Sequence, residues 1–225
     1  MKQYISILGR LFIGLFLYAV GAVFTINANL GLSPWDVFHQ GISKLTGITI
    51  GQASIIIGLL IVILDWAIGE KVGIGTIGNM LFIGIFMDIL MLNNLIPVFS
   101  NIIARIIMML LGMFIIGVAC YFYIGAGLGS GPRDGLMVAL SKKTKKSVRF
   151  IRSCIESVPL VIGYFLGGSV GVGTVIMVLG GGYFIQLAFK IFRFDVTKVE
   201  HEFVNDYVSN IKEALSQKKE DMNTN

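Results

Sequence analysis

Charge is what this sequence has least of. Asp, Glu, Lys and Arg together make up 14% of its 225 residues, where a soluble domain carries about a quarter. With mean hydropathy at +0.82, that scarcity excludes an ordinary soluble globule. Cysteine and histidine are scarcer still, at two each. Neither C-x-x-C nor H-x-x-x-H spacing occurs, which argues against a structural zinc site. Cys120 and Cys154 fall inside or at the edge of long apolar runs, so no extracellular disulfide framework is expected. The histidines are His39 and His201, and no Ser-His-Asp set, nucleophile elbow, Walker loop or glycosidase-type carboxylate pair can be assembled. Neither an enzyme nor a cofactor is expected.

What the chain has instead is apolar residues, 55% of the total, gathered into long runs. Six stretches, 11–28, 50–68, 74–92, 102–125, 150–167 and 170–189, approach the roughly 20 residues that a helix needs to cross hydrocarbon. The 28 glycines fit the same picture, because small residues let helices approach closely in lipid. The first run is longer than a secretory signal core and no small-x-small cleavage site follows it, so it is read as the first span. The sequence therefore predicts an all-α, polytopic membrane helical bundle.

The bundle is written twice. Leu30-Gly-Leu-Ser-Pro34-Trp-Asp36 matches Leu128-Gly-Ser-Gly-Pro132-Arg-Asp134 at a shift of 98 residues. The same shift pairs Gly73-Ile-Gly-Thr76 with Gly171-Val-Gly-Thr174, and Gly69 with Gly167, without a gap. Residues 1–98 and 99–194 are thus two repeats of three spans each, followed by a tail at 195–225. An odd number of spans per repeat makes the second copy enter the membrane from the opposite face, an inverted-topology repeat. With the N-terminus inside, 16 of the 18 basic residues fall on the inner side and only Lys44 and Arg105 on the outer, as the positive-inside rule requires. Both termini are expected inside.

Between the first and second spans of each repeat lies a short segment begun by proline. Ser33 as N-cap, Pro34 at the first helical position and Asp36 at the third mark a helix start. From Pro34 to Leu45 it would be about 18 Å long at 1.5 Å per residue, too short to cross. Two readings stay open: a re-entrant half-helix aimed at a central site, or an amphipathic helix lying on the interface. Lys142, Lys143, Lys145 and Lys146 point the far end of the second copy toward anionic headgroups at the inner face. Around these breaks Ser33, Pro34, Asp36, Ser130, Pro132, Arg133 and Asp134 are candidates for a substrate or ion site, with Thr76, Asn79 and Thr174 as candidates to face an internal cavity.

Ionisable residues at membrane depth are functional suspects, because leaving them unpaired there is costly. Asp88 and Arg105 fall at similar depth and are expected to form a structural ion pair. Arg152 and Glu156 stand four residues apart on one helix face, with Pro159 beyond them. Glu156, opposite Gly58 in the repeat, is the leading candidate for a proton- or substrate-linked carboxylate. Asp65, beside Glu70 and Lys71, is read as a solvated helix end. Gly73-x-Gly75-x-x-Gly78 imitates a dinucleotide fingerprint, but no strand precedes it. Gly180-Gly181-Gly182 is read as a close backbone approach. In the tail, Thr197-x-x-Glu200 resembles a capping box, and Val199, Phe203, Val208, Ile211 and Leu215 trace a cytoplasmic amphipathic helix, with a disordered end beyond it.

The blocks Asn29-Leu-Gly-Leu-Ser-Pro-Trp-Asp-Val37, Gly73-Ile-Gly-Thr76, Gly127-Leu-Gly-Ser-Gly-Pro-Arg-Asp-Gly135 and Gly171-Val-Gly-Thr174 resemble bacterial YczE/YyaS/YitT-type membrane proteins, the YczE branch most closely. The resemblance implies a bacterial cytoplasmic membrane protein without an assigned activity. Two functions are carried forward. One is a secondary transporter or permease for a small-molecule substrate, which requires a polar cavity lined from both copies around Ser33, Asp36, Ser130 and Asp134. The other is a non-transporting membrane partner or regulator of another system, working through the basic face and the tail. Anionic lipid headgroups are an expected partner, nucleic acid is not, and a homo-oligomer stays open.

Overall fold

The computed structural model describes residues 2–199 and Phe203. Its helices are α1 (Lys2–Asn27), α2 (Pro34–Thr46), α3 (Ile50–Ile68), α4 (Ile74–Leu92), α5 (Ile102–Ile124), α6 (Pro132–Thr144), α7 (Val148–Phe165) and α8 (Val172–Ile191). A 3-10 turn follows at Val196–Lys198. No strand occurs among the described residues. The expected tail helix and disordered end lie outside them.

Five of these helices, α1, α3, α4, α5 and α8, are long and apolar enough to cross a membrane. The sixth expected span, α7, forms as a helix but carries Arg149, Arg152 and Glu156 within 18 residues, so it falls outside that group. Its lower apolarity has a use described below.

Both short helices run 13 residues, Pro34–Thr46 and Pro132–Thr144, so they match at both ends across the shift of 98. Ser33 caps α2 as expected, accepting from the Asp36 N–H. Gly131 stands in its place on α6 and supplies no side-chain cap. The proline ends of both are buried within the bundle, while Leu45 and Lys143 at the far ends are exposed.

The main core lies between α1 and α5, with Leu15, Val23, Met109 and Met113 among its buried residues. Glycines set the spacing where these helices cross. A Cβ on Gly21 would lie 2.7 Å from the Gly112 carbonyl oxygen, and one on Gly112 2.8 Å from that of Gly21. Gly51 and Gly84 bring α3 against α4 in the same way. Such backbone contact is how helices gain packing energy where lipid removes the hydrophobic drive.

The halves also exchange hydrogen bonds at their breaks. The Gly75 N–H donates to the Leu128 carbonyl, and the Gly173 N–H to the Leu30 carbonyl, both at 2.7 Å. These two bonds map onto each other under the shift of 98. Just beyond each acceptor, Gly31 and Gly129 hold φ at +110° and +112°. A Cβ on Gly129 would lie 2.8 Å from the Gly73 Cα, so conformation and space both demand glycine.

Gly69 offers a control, because it has φ of +92° but open space around it. Gly69→Ala should cost about 1–2 kcal/mol, the left-handed penalty alone. Gly129→Ala should cost more, lowering the thermal midpoint of the detergent-purified protein further than Gly69→Ala does. Equal midpoints would refute the close-contact account.

Candidate functional site

The buried starts of α2 and α6 meet across the middle of the bundle. Trp35 is the second residue of α2 and Arg133 the second of α6, so they are repeat equivalents. The Arg133 guanidinium carbon lies 4.3 Å from the centre of the Trp35 ring, a cation–π contact between the two halves. Two adjoining cavities of about 170 and 220 Å³ open around this pair, and Arg133, Arg152, Glu156, Tyr18 and Ser54 line both. At about 30 Å³ per water, they are the size of a small solute.

The smaller cavity reaches the start of α6. Asn79 Nδ2, Asp134 Oδ2 and the Tyr123 hydroxyl gather there, each 3.6–3.7 Å from where a Cβ on Gly131 would stand. The larger cavity reaches the start of α2, touching Ser33, Pro34, Trp35 and Asp36, with methionines 87, 113 and 177 on its apolar side. Asp36 is already engaged. The Ser33 hydroxyl donates to its Oδ2 at 2.5 Å, and His39 Nδ1 stands 3.6 Å from its Oδ1. Asp134 has no such serine, because the equivalent of Ser33 is Gly131.

Several polar groups around the cavities are left without partners. The Trp35 Nε1–H and His39 Nε2 are buried and make no hydrogen bond, while His39 Nδ1 has only its 3.6 Å approach to Asp36. Arg133 touches the Trp35 ring and forms no ion pair or hydrogen bond among the described residues. Arg152 and Glu156 share the cavity wall without closing to ion-pair distance, so the expected local pair is not formed. Both instead face the space between the halves, which explains why α7 carries charge that a lipid-facing span would not.

Other expectations need correction. Asp88 and Arg105 do not pair. Asp88 accepts from the Thr49 hydroxyl and from the Gly51 N–H at 3.0 Å, placing a carboxylate at the start of α3. Arg105 donates Nε–H to the Ala28 carbonyl at 2.8 Å and a second N–H to the Asn29 carbonyl, closing the end of α1. Thr76 and Thr174 do not line the cavities. They accept from the N–H groups of Gly73 and Gly171, both at 3.2 Å, and Thr76 also donates to the Ser130 carbonyl at 2.6 Å. Ser130 is held through that carbonyl and is absent from the cavity walls, whereas Asn79 and Pro132 are present. Asp65 is not solvated but buried against Gly135, with Oδ1 unpartnered. Gly181 and Gly182 approach no backbone and border the larger cavity.

Trp35, Tyr18, Tyr123 and His39 belong to the cavity walls without having been singled out as site residues. The signal for Trp35 was present, since it aligns with Arg133 in the repeat. Tyr18 and Tyr123 left none, because an aromatic residue inside an apolar run looks the same facing lipid or a cavity.

Comparison with known proteins fits this geometry. A family model described as "Family of unknown function (DUF6198)" matches residues 5–190. The chain belongs to that family. It is 37% identical to the uncharacterized membrane protein YczE of Bacillus subtilis over 179 residues, 79% of this chain and 82% of that protein. It is 31% identical to an uncharacterized protein of Haemophilus influenzae over 189 residues, 84% of this chain and 85% of that one. YyaS of Bacillus subtilis is 26% identical over 182 residues, 80% and 90% of the two chains. No solved structure matches. The match spans both short helices and nearly all of the five apolar helices.

The missing cap on α6 gives a test. Gly131→Ser should restore it and stabilise the fold by a few tenths of a kcal/mol, the usual difference between serine and glycine at this position. The new hydroxyl would also engage Asp134 as Ser33 engages Asp36. Thermal unfolding of the purified variant checks this, and a lowered midpoint would contradict the cap assignment.

Proposed function

We propose that this protein is a secondary transporter that moves a small polar solute through the cavities between α2 and α6 without changing it chemically. The observation that carries this reading is the meeting of two half-helix starts, one from each repeat, around space lined with unpartnered polar groups. Inverted-repeat transporters use broken helices in this way, with the positive ends of their dipoles facing the solute. In this reading α2 and α6 are re-entrant, six helices cross the membrane, the second repeat is inverted relative to the first, and both termini lie on the cytoplasmic side. The charges of α7 then face the pathway rather than lipid, and the exposed Lys143, Lys145 and Lys146 meet anionic headgroups at the inner face.

A second observation supports movement. In the first repeat α3 packs along α4, with Gly51 against Gly84. In the second, α7 leans on α2, with Gly163 against Phe38, and makes no comparable contact with α8. Two copies of one unit thus hold two different packings. Exchange of those packings between the halves is how such a protein opens first to one side and then to the other. The alternative, a non-transporting partner, rests on the basic face and on a tail helix that lies outside the described residues.

Orientation is testable by labelling. In a background with Cys120 and Cys154 replaced by serine, a cysteine at Lys44 should react with a membrane-impermeant maleimide on intact cells, and one at Lys143 only after permeabilisation. Reaction of both from one side would defeat the inverted arrangement. For transport, solutes that raise the thermal midpoint of the purified protein should be taken up by vesicles containing it, and Arg133→Ala should slow uptake at least tenfold. Binding without uptake would defeat the transport reading.

A further inference from the structure

Resting on the reading of the central cavities as a solute site, we propose that the solute is a small zwitterion of the α-amino acid or betaine class. Its carboxylate would be held by Arg133 and Trp35, and its cationic group would face Glu156 and Asp134.

The carboxylate seat follows from the surplus of free donors. The Arg133 guanidinium is fixed over the Trp35 ring at 4.3 Å and has no acceptor among the described residues. A stacked, planar fork of N–H donors is suited to a carboxylate held by two parallel hydrogen bonds. Beside it, Trp35 is only 6% exposed, lines the larger cavity and has an Nε1–H without an acceptor. The unpaired Arg133 fork in the cavity wall points to a ligand independently of the helix starts, which add their own positive potential.

The cationic seat follows from the carboxylates in the same cavities. Glu156 borders both cavities and closes no ion pair, while Asp134 stands beside Asn79 and Tyr123 at the start of α6. Formal charge then selects between solute types. Two arginines, 133 and 152, face three carboxylates, Asp36, Asp134 and Glu156. A bare anion would add a further negative charge to this enclosed space, and a bare cation would leave the Arg133 fork without an acceptor. A zwitterion gives the Arg133 fork an acceptor and the carboxylates a cation without adding net charge. Met87, Met113 and Met177 offer an apolar surface for a side chain.

The test uses alanine and its two truncated forms. Binding of L-alanine, glycine, L-serine, L-proline and betaine to the purified full chain is measured by calorimetry, beside propionate, which lacks the ammonium group, and ethylamine, which lacks the carboxylate. At least one zwitterion should bind, and at least tenfold more tightly than either truncated probe. Arg133→Gln and Glu156→Gln should each weaken that binding tenfold or more, with Arg133→Lys recovering only part, and with unchanged size-exclusion profiles. Propionate or ethylamine binding as tightly as the zwitterions would overturn the proposal, as would no binding by the zwitterions extended to all twenty amino acids. The comparison of probes needs the unmodified protein alone, so it stands even if a variant fails to fold. Vesicle uptake separates the two readings. Zwitterion binding without uptake defeats transport and leaves this assignment, whereas uptake of a purely anionic or cationic solute keeps transport and defeats it.

Discussion

Where a helix breaks inside an apolar bundle its freed backbone groups need partners, and this fold depends on how that need is met. Each half breaks between its first long helix and its short one, freeing the carbonyls of Leu30 and Leu128. The other half supplies the donors, the N–H groups of Gly173 and Gly75, both at 2.7 Å. Neither break can be closed by its own repeat. The left-handed turns at Gly31 and Gly129 aim the carbonyls, and the absence of side chains at Gly73 and Gly171 lets the strands of backbone meet. The two repeats are therefore one cooperative unit, and the place where they exchange bonds is also where the short helices begin.

From that exchange the position of the site follows. With both breaks fixed by the opposite half, the starts of α2 and α6 are drawn to the same region, and Trp35 reaches Arg133. Arginines close the ends of the two central helices, Arg105 on the carbonyls of Ala28 and Asn29 and Arg10 on that of Tyr121. Favourable charge at helix C-termini thus fastens α1 and α5 on opposite sides of the core. The rigid parts of the bundle are held by backbone and end contacts, leaving the groups around the cavities unengaged.

How much of this was legible depended on the kind of information each residue carries. Run length and proline position gave the long and short helices within about two residues, because both act locally, except that α1 begins nine residues before the expected 11–28 run. The repeat was legible because Pro, Gly and Asp are constrained by backbone geometry and so stay in register. Pairing was another matter. Asp88 and Arg105 share a depth, but depth is one coordinate of three. Gly51 and Gly84 bring the start of α3 to Asp88, and Arg105 meets the end of α1 instead. Asp65 looked solvated because it sits near a helix end, yet α6 covers it at Gly135. The recurring Gly-x-Gly-Thr marks tight helix entry, where Thr76 and Thr174 bond the N–H groups of Gly73 and Gly171, and it places neither threonine in the cavity wall.

The breaks are matched between the halves and their chemistry is not. Where the second half places Arg133, Arg152 and Glu156, the first places Trp35, Ser54 and Gly58 at the same repeat positions. Where the first has Ser33 to occupy Asp36, the second has Gly131 and leaves Asp134 facing the cavity. Had both halves carried the charged set, like charges would have crowded the same cavities at a high cost. Had both carried the small set, nothing would distinguish the cavity from a packing defect. Duplication supplies two half-helices and the room between them. Divergence at a few paired positions then gives the second half its charges and the first its ring, which meet where Arg133 stands over Trp35.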